Sequence, residues 1–287
     1  GDKRYCEEYI FENQKIDAGN IVSKFNLNPN LRAVSILKRT KVGMNGLMIE
    51  LAYRMATHPD DMFKIMSQNI FLLTGMSNTS WETDFKESIP SCFKENVYHH
   101  GQLPKVKSRL SNLKNALIIV DEIDVGAKNK SVLHKVFAEA HIWDIDYIKE
   151  NNIRFVFVSA TLIKELKSLN NCWTDLHQMY NMTIPPNYIG HKDFLEMGFF
   201  EEFYPIKSQE DANRWVFEDI INNYGNDFRV HIIRLRKTQS PFVEEVCKQH
   251  GIDFSFHNSE DRIPYETLKE IFEVVSNHKV ICVKGFW

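Results

Sequence analysis

Two hydrophobic patterns alternate along the chain. Short, mostly apolar runs recur at Ala33 to Leu37, Asn69 to Thr74, Ala116 to Val120 and Phe155 to Val158, and again at Arg229 to Ile233, Asp253 to His257 and Lys279 to Val283. Their length and near-continuous apolarity predict strands buried on both faces. Asn96 to His99 reads as a weaker strand, followed by a basic helical stretch. Between the runs the apolar residues take a helical spacing, as at Leu47, Ile49, Leu51, Ala52 and Met55. Helical stretches are also predicted over residues 131–150, 211–222, 242–249 and 264–276. Strands alternating with helices specify a parallel sheet wrapped by helices, an α/β fold in two tandem units. Residues 1–30 are expected to be an N-terminal extension and 31–172 a first domain. Residues 173–208, irregular and carrying Pro185-Pro186, are expected to be a connector, and 209–287 a second, incomplete domain.

The run Ala116 to Val120 passes directly into Asp121-Glu122-Ile123-Asp124. Ligands of open α/β sheets bind at the carboxyl ends of the strands, so carboxylates at this point suit nucleotide chemistry. An acidic residue there can hold Mg²⁺, and a second can orient or deprotonate the attacking water. The same pattern also fits a strand that merely leaves the core through a solvated turn. The next strong strand ends in Ser159-Ala160-Thr161, small residues suited to hydrogen-bonding the acidic loop.

The order of these two segments resembles superfamily 2 helicases and translocases, the DEAD-like group. Asp121-Glu122-Ile123-Asp124 is similar to their Walker B motif II, and Ser159-Ala160-Thr161 to their motif III. The resemblance implies RecA-like domains, ATP and Mg²⁺ as cofactors, and nucleic acid as partner. It implies that Asp121 is the metal-holding residue, that Glu122 activates water, and that Ser159, Ala160 and Thr161 couple the site to the nucleic-acid face. The arginine-bearing motif VI of that family has no counterpart before Trp287. The polar start without Met, and a last strand ending four residues from Trp287, read as a fragment of a longer chain.

The phosphate loop departs from the family. Where G-x-x-x-x-G-K-[ST] belongs, the sequence runs from Lys38 through Arg39, Thr40, Lys41, Val42, Gly43, Met44 and Asn45 to Gly46. Thr40, Lys41, Gly43, Met44 and Asn45 are the candidate nucleotide-binding residues. Met44 cannot supply an ammonium for the phosphates, and Asn45 is a poorer Mg²⁺ ligand than a hydroxyl, although backbone N–H groups can still hold a phosphate. Either hydrolysis has been lost, or Lys38 or Lys41 reaches back to replace the missing charge.

Two surfaces are candidates for nucleic acid. One is the basic set Lys105, Lys107, Arg109 and Lys114; the other is the loop Gly75 to Trp81, with Ser77, Asn78, Thr79 and Ser80 facing phosphates and Trp81 stacking on a base. A solvated helix face and a packed tryptophan are the plainer readings. The formal net charge of -3 carries no global nucleic-acid signature, so contacts must be local. Five scattered cysteines without C-x-x-C spacing argue for neither a zinc site nor a disulfide framework. With no membrane-length apolar stretch and a charged start, the chain reads as soluble and intracellular.

Three functions follow in order of fit. The first is an ATP-dependent helicase or translocase of superfamily 2, its hydrolysis in question because of Met44 and Asn45. The second is a non-hydrolysing relative that binds nucleic acid or serves as a scaffold in a larger assembly. The third is a metal-dependent nuclease built on Asp121, Glu122 and Asp124, which leaves Ser159-Ala160-Thr161 unexplained.

Overall fold

In a computed structural model, residues 10–76, 79–123, 132–161, 173–200, 202, 204–258 and 260–284 are described. The chain divides into two compact units between Met197 and Gly198.

The first unit holds a sheet of parallel strands in the order β3-β2-β4-β5-β1-β6. The strands are β1 Ala33–Leu37, β2 Ile70–Thr74, β3 Val97–Tyr98, β4 Ala116–Asp121, β5 Ile153–Ser159 and β6 His177–Asn181. Strand side chains alternate between faces, and here both faces are apolar. Val34, Ile36, Leu72, Ile119 and Val156 belong to one buried cluster with Ile21 and Phe25 of α1 (Glu12–Leu27), Leu47 and Met48 of α2 (Met44–Ala56) and Phe85 of α3 (Thr79–Ser88). Ala33, Phe71, Leu73, Val120, Phe155 and Phe157 belong to the other. Their partners are Leu103, Val106 and Leu110 of α4 (Leu103–Leu110), Phe137 of α5 (Val132–Glu139) and Ile148 of α6 (Ile145–Glu150). Trp143 stacks on Phe155 between α5 and α6, ring centroids 5.8 Å apart.

The single helix expected over 131–150 is therefore two. His141 takes a left-handed φ of 61°. Asp144 then caps α6, accepting hydrogen bonds from the backbone N–H groups of Asp146 (2.9 Å) and Tyr147 (3.2 Å).

Much of two segments expected to lie outside the first domain, residues 10–30 and 173–197, belongs to the first unit. Residues 1–30 contain α1, whose Ala18, Ile21 and Phe25 are fully buried. Residues 173–208 contain β6, which pairs with β1 along its whole length. The two corrections share one cause. Asp17 of α1, fully buried, accepts hydrogen bonds from Tyr180 Oη (2.6 Å), Thr183 N (3.0 Å) and Thr183 Oγ1 (2.6 Å), so the helix is fastened to the edge strand. Edge strand β6 reads His-Gln-Met-Tyr-Asn, and half of it faces solvent, so its composition does not announce a strand.

The second unit carries β7 (Val230–Leu235), β8 (Asp253–His257) and β9 (Lys279–Lys284), all parallel, in the order β7-β9-β8. Helix α7 (Gln209–Arg214), a π-helical continuation over Trp215–Asn222 and α8 (Ser240–Gln249) cover this sheet through Ala212, Val216, Ile220, Val243, Val246 and Cys247. Among the described residues no helix is long and apolar enough to cross a membrane.

Candidate functional site

The register of the first sheet brings four strand ends together. Leu37 of β1 lies opposite Ser159 of β5, and Thr74 of β2 opposite Asp121 of β4. Asp121 is therefore the last residue of a central strand, 5% exposed, at the edge where the chain turns outward. Glu122 follows with a left-handed φ of 50°, and its N–H donates to Asp121 Oδ1 at 3.0 Å. Such a φ is uncommon for a residue with a side chain and costs about 1 kcal/mol.

Lys38 occupies the equivalent point one residue beyond β1. Its N–H donates to Ser159 O at 3.1 Å. Its side chain crosses the tip of β5, and Nζ donates to Asp121 Oδ1 at 2.9 Å and Glu122 Oε1 at 3.1 Å. The Lys38 side chain is 10% exposed. Burial alone lowers its proton affinity, but the attraction of Asp121 and Glu122 and their hydrogen bonds outweigh that, leaving its pKa above the ordinary lysine value. One cation thus bridges both carboxylates.

The loop expected to receive phosphate follows directly from Lys38. Lys41 (φ 63°) and Gly43 (φ 85°) take left-handed conformations, and Gly43 caps the N-terminus of α2. Thr40 and Lys41 are exposed, and the Thr40 carbonyl accepts from Tyr188 Oη at 2.8 Å. Met44 is turned into the apolar cluster, 6% exposed, while Asn45 is half-buried. The position that would carry the phosphate lysine therefore points into the core.

Gln14 of α1 was not legible as a site residue. Its Nε2 donates to Gly43 O, and its Oε1 accepts from Phe11 N at 2.9 Å. A Cβ at Gly43 or Gly46 would displace this amide, and Gly43 in addition has the left-handed φ that favours glycine. A lone glutamine in the first turn of a helix reads as a cap, so only the fold reveals its second contact.

Ser159 is buried, and its Oγ accepts from Thr161 N at 3.1 Å, forming a tight turn at the end of β5. Ala160 is half-buried and Thr161 exposed. Ser77 and Asp124 lie outside the described residues, and the latter leaves the three-carboxylate nuclease set without a description. Among the described residues no cluster of His, Cys, Asp and Glu is arranged to hold a metal.

The expected nucleic-acid residues divide. Lys105 is exposed on α4, and Lys107 pairs with Glu139 at 2.6 Å on the surface. Arg109 is instead a clamp: its guanidinium donates to Glu95 O (3.2 Å), Tyr98 Oη (2.9 Å) and Asn96 Oδ1 (2.6 Å) and lies over the Phe71 ring. Trp81, expected to stack on a base, stacks on Phe85 at 5.0 Å and packs against the apolar cluster. In both cases the side chain is held by its own domain, Trp81 by packing of its ring and Arg109 by its hydrogen bonds and its place over Phe71. Burial pushes the Cys247 thiol up to about 12, in keeping with its lack of a nucleophile motif.

The parallel sheet and its acidic carboxyl edge define a RecA-like α/β fold. It is the fold of a solved DEAD-box helicase that resembles this chain. The structure of Dbp5 from S. cerevisiae bound to RNA and ADP BeF3 matches 98% of this chain and 76% of its own, with a TM-score of 0.51 and 10% identity. A DEAD box protein from the hyperthermophile Methanococcus jannaschii matches over 94% and 73%, with a TM-score of 0.43 and 12% identity. No protein-family model and no curated protein sequence matches the chain.

Proposed function

We propose that this chain binds ATP with Mg²⁺ at the carboxyl edge of its first sheet and uses the nucleotide to bind and remodel nucleic acid, as a helicase or translocase of superfamily 2. The observation that carries this reading is the joint placement of Asp121, Glu122 and a buried ammonium beside a glycine-capped helix N-terminus. Hard carboxylate oxygens are the donors Mg²⁺ prefers, and the Lys38 ammonium lying on both of them supports a cation position there. Magnesium, when bound, neutralises phosphate charge. Asp121 would hold it, and Glu122, the more exposed carboxylate, would orient water and accept its proton. The α2 N-terminus, with no acidic residue in its first turn, would receive phosphate on its backbone N–H groups. The turn of Ser159 and Thr161, bonded through Lys38 N to the same edge, would pass the state of the site onward. Of the basic set, Lys105, Lys107 and Lys114 are the exposed cations that remain for nucleic acid.

Burial of Met44 favours a second reading, in which nucleotide is bound but not hydrolysed and the protein acts as a nucleic-acid-binding or scaffolding relative. Calorimetry of ATP with Mg²⁺ on this chain and on Asp121→Ala tests the first statement. Binding that weakens in the variant supports the site, and no binding in either removes it. Single-turnover phosphate release then separates the two readings.

A further inference from the structure

We infer that Lys38 is this protein's phosphate lysine, delivered from the end of β1 in place of the missing lysine at Met44, and that it shuttles between the two carboxylates and the nucleotide phosphates. The inference rests on the nucleotide site proposed above and names the residue that supplies its positive charge.

Geometry separates Lys38 from its alternatives. Arg39 and Lys41 are exposed on the outer part of the loop, whereas the Lys38 side chain is 90% buried along the carboxyl edge by its 10% exposure. Met44 points into the core, so the loop's own lysine position is unavailable for any side chain without rebuilding that packing. The Lys38 backbone is held by its bond to Ser159 O, but Nζ sits on a flexible four-carbon stem. The carboxylates that hold it are the ones proposed to hold Mg²⁺.

Competition follows from charge. A lysine and a divalent cation cannot share two carboxylate oxygens without strong like-charge repulsion. Without Mg²⁺ the ammonium satisfies Asp121 and Glu122, which would otherwise be two neighbouring anions at a low-dielectric edge. Were a divalent cation held by Asp121 and Glu122, the Lys38 ammonium would give up those oxygens, remain charged and need a new anion. A nucleotide phosphate at the N-terminus of α2 would supply it. Lys38 thus closes the empty site and completes the filled one.

The test is ADP affinity measured by calorimetry, first in EDTA and then with Mg²⁺, on this chain and on Lys38→Met, Lys38→Arg and Asp121→Asn. With Mg²⁺, Lys38→Met weakens ADP by about 10- to 100-fold, the size of one charge-assisted hydrogen bond, and weakens ADP more than AMP. Lys38→Arg retains most of the affinity. Asp121→Asn, which releases the ammonium from its partner, tightens ADP in EDTA while weakening it with Mg²⁺. That opposite sign is not produced by misfolding, and thermal melting confirms that each variant is folded. Unchanged ADP affinity in Lys38→Met, or no tightening in Asp121→Asn, overturns the assignment of Lys38 while leaving the nucleotide site standing. Absence of ADP and ATP binding to the unaltered chain under both conditions overturns the nucleotide site itself, and the lysine's role with it.

Discussion

The Lys38 ammonium donates to Asp121 Oδ1 at 2.9 Å across the tip of β5, tying the end of β1 to the end of β4. Removing Asp121 leaves the Lys38 ammonium only the more exposed Glu122 carboxylate and costs it one charge-assisted hydrogen bond. Asp121→Ala should therefore lower stability by about 2 kcal/mol, read as a fall in the urea midpoint of the first unit. A change below about 0.5 kcal/mol would mean that solvent screens the pair.

The same pair sets an alkaline limit. The Lys38 pKa is raised in the folded protein above its ordinary value of 10.5. Its contribution is complete below that ordinary value and is lost as the pH climbs through the raised folded value. Urea midpoints should fall in this alkaline range, and the fall should be smaller in Lys38→Met. An identical alkaline limb in both proteins would assign the loss to other groups.

His177 sets an acid limit. It is buried on β6, its Nε2 lies 2.6 Å from Ser35 Oγ, and burial lowers its pKa to about 4. Since the unfolded chain takes up this proton near pH 6.5, stability should fall as the pH drops from about 6.5 to about 4, by up to about 3 kcal/mol. Imidazole NMR should show His177 still neutral at pH 5. A titration midpoint near 6.5 in the folded protein would sink the prediction.

Asp17 should matter far more than a helix carboxylate normally does. Asp17→Ala removes the acceptor of three hydrogen bonds from Tyr180 and Thr183. A loss of about 3 kcal/mol is expected, with amide exchange in α1 and β6 accelerating together. Faster exchange in only one of them would show that the latch does not couple them.

Arg109 and Lys105 should respond in opposite ways. Arg109→Ala breaks the clamp on Glu95, Asn96 and Tyr98 and should cost about 1–2 kcal/mol of stability. Lys105→Ala should leave the melting temperature in place and weaken nucleic-acid binding at low salt. Equal affinity in Lys105→Ala and the unaltered chain would take α4 off the nucleic-acid surface.

The central strands were legible because burial on both faces forces a continuous apolar run, and β1, β2 and β4 lie within a residue or so of where those runs stand. Asp121 and Glu122 were legible for a related reason: charge directly after such a run has to fall at the strand's end. The resemblance of these residues and of Ser159-Ala160-Thr161 to DEAD-like motifs also pointed to the RecA-like fold that the chain has. Edge strand β6 and helix α1 were not legible. A strand buried on one side reads as mixed polarity, and the Asp17 contacts that fasten α1 span more than 160 positions. Nor does the sequence tell which lysine meets Asp121, because Lys38, Lys41 and Arg39 are equivalent in composition. Tertiary structure decided that, through the parallel register that sets the end of β1 beside β5 and sends one side chain over it, and through the packing that turned Met44 into the core.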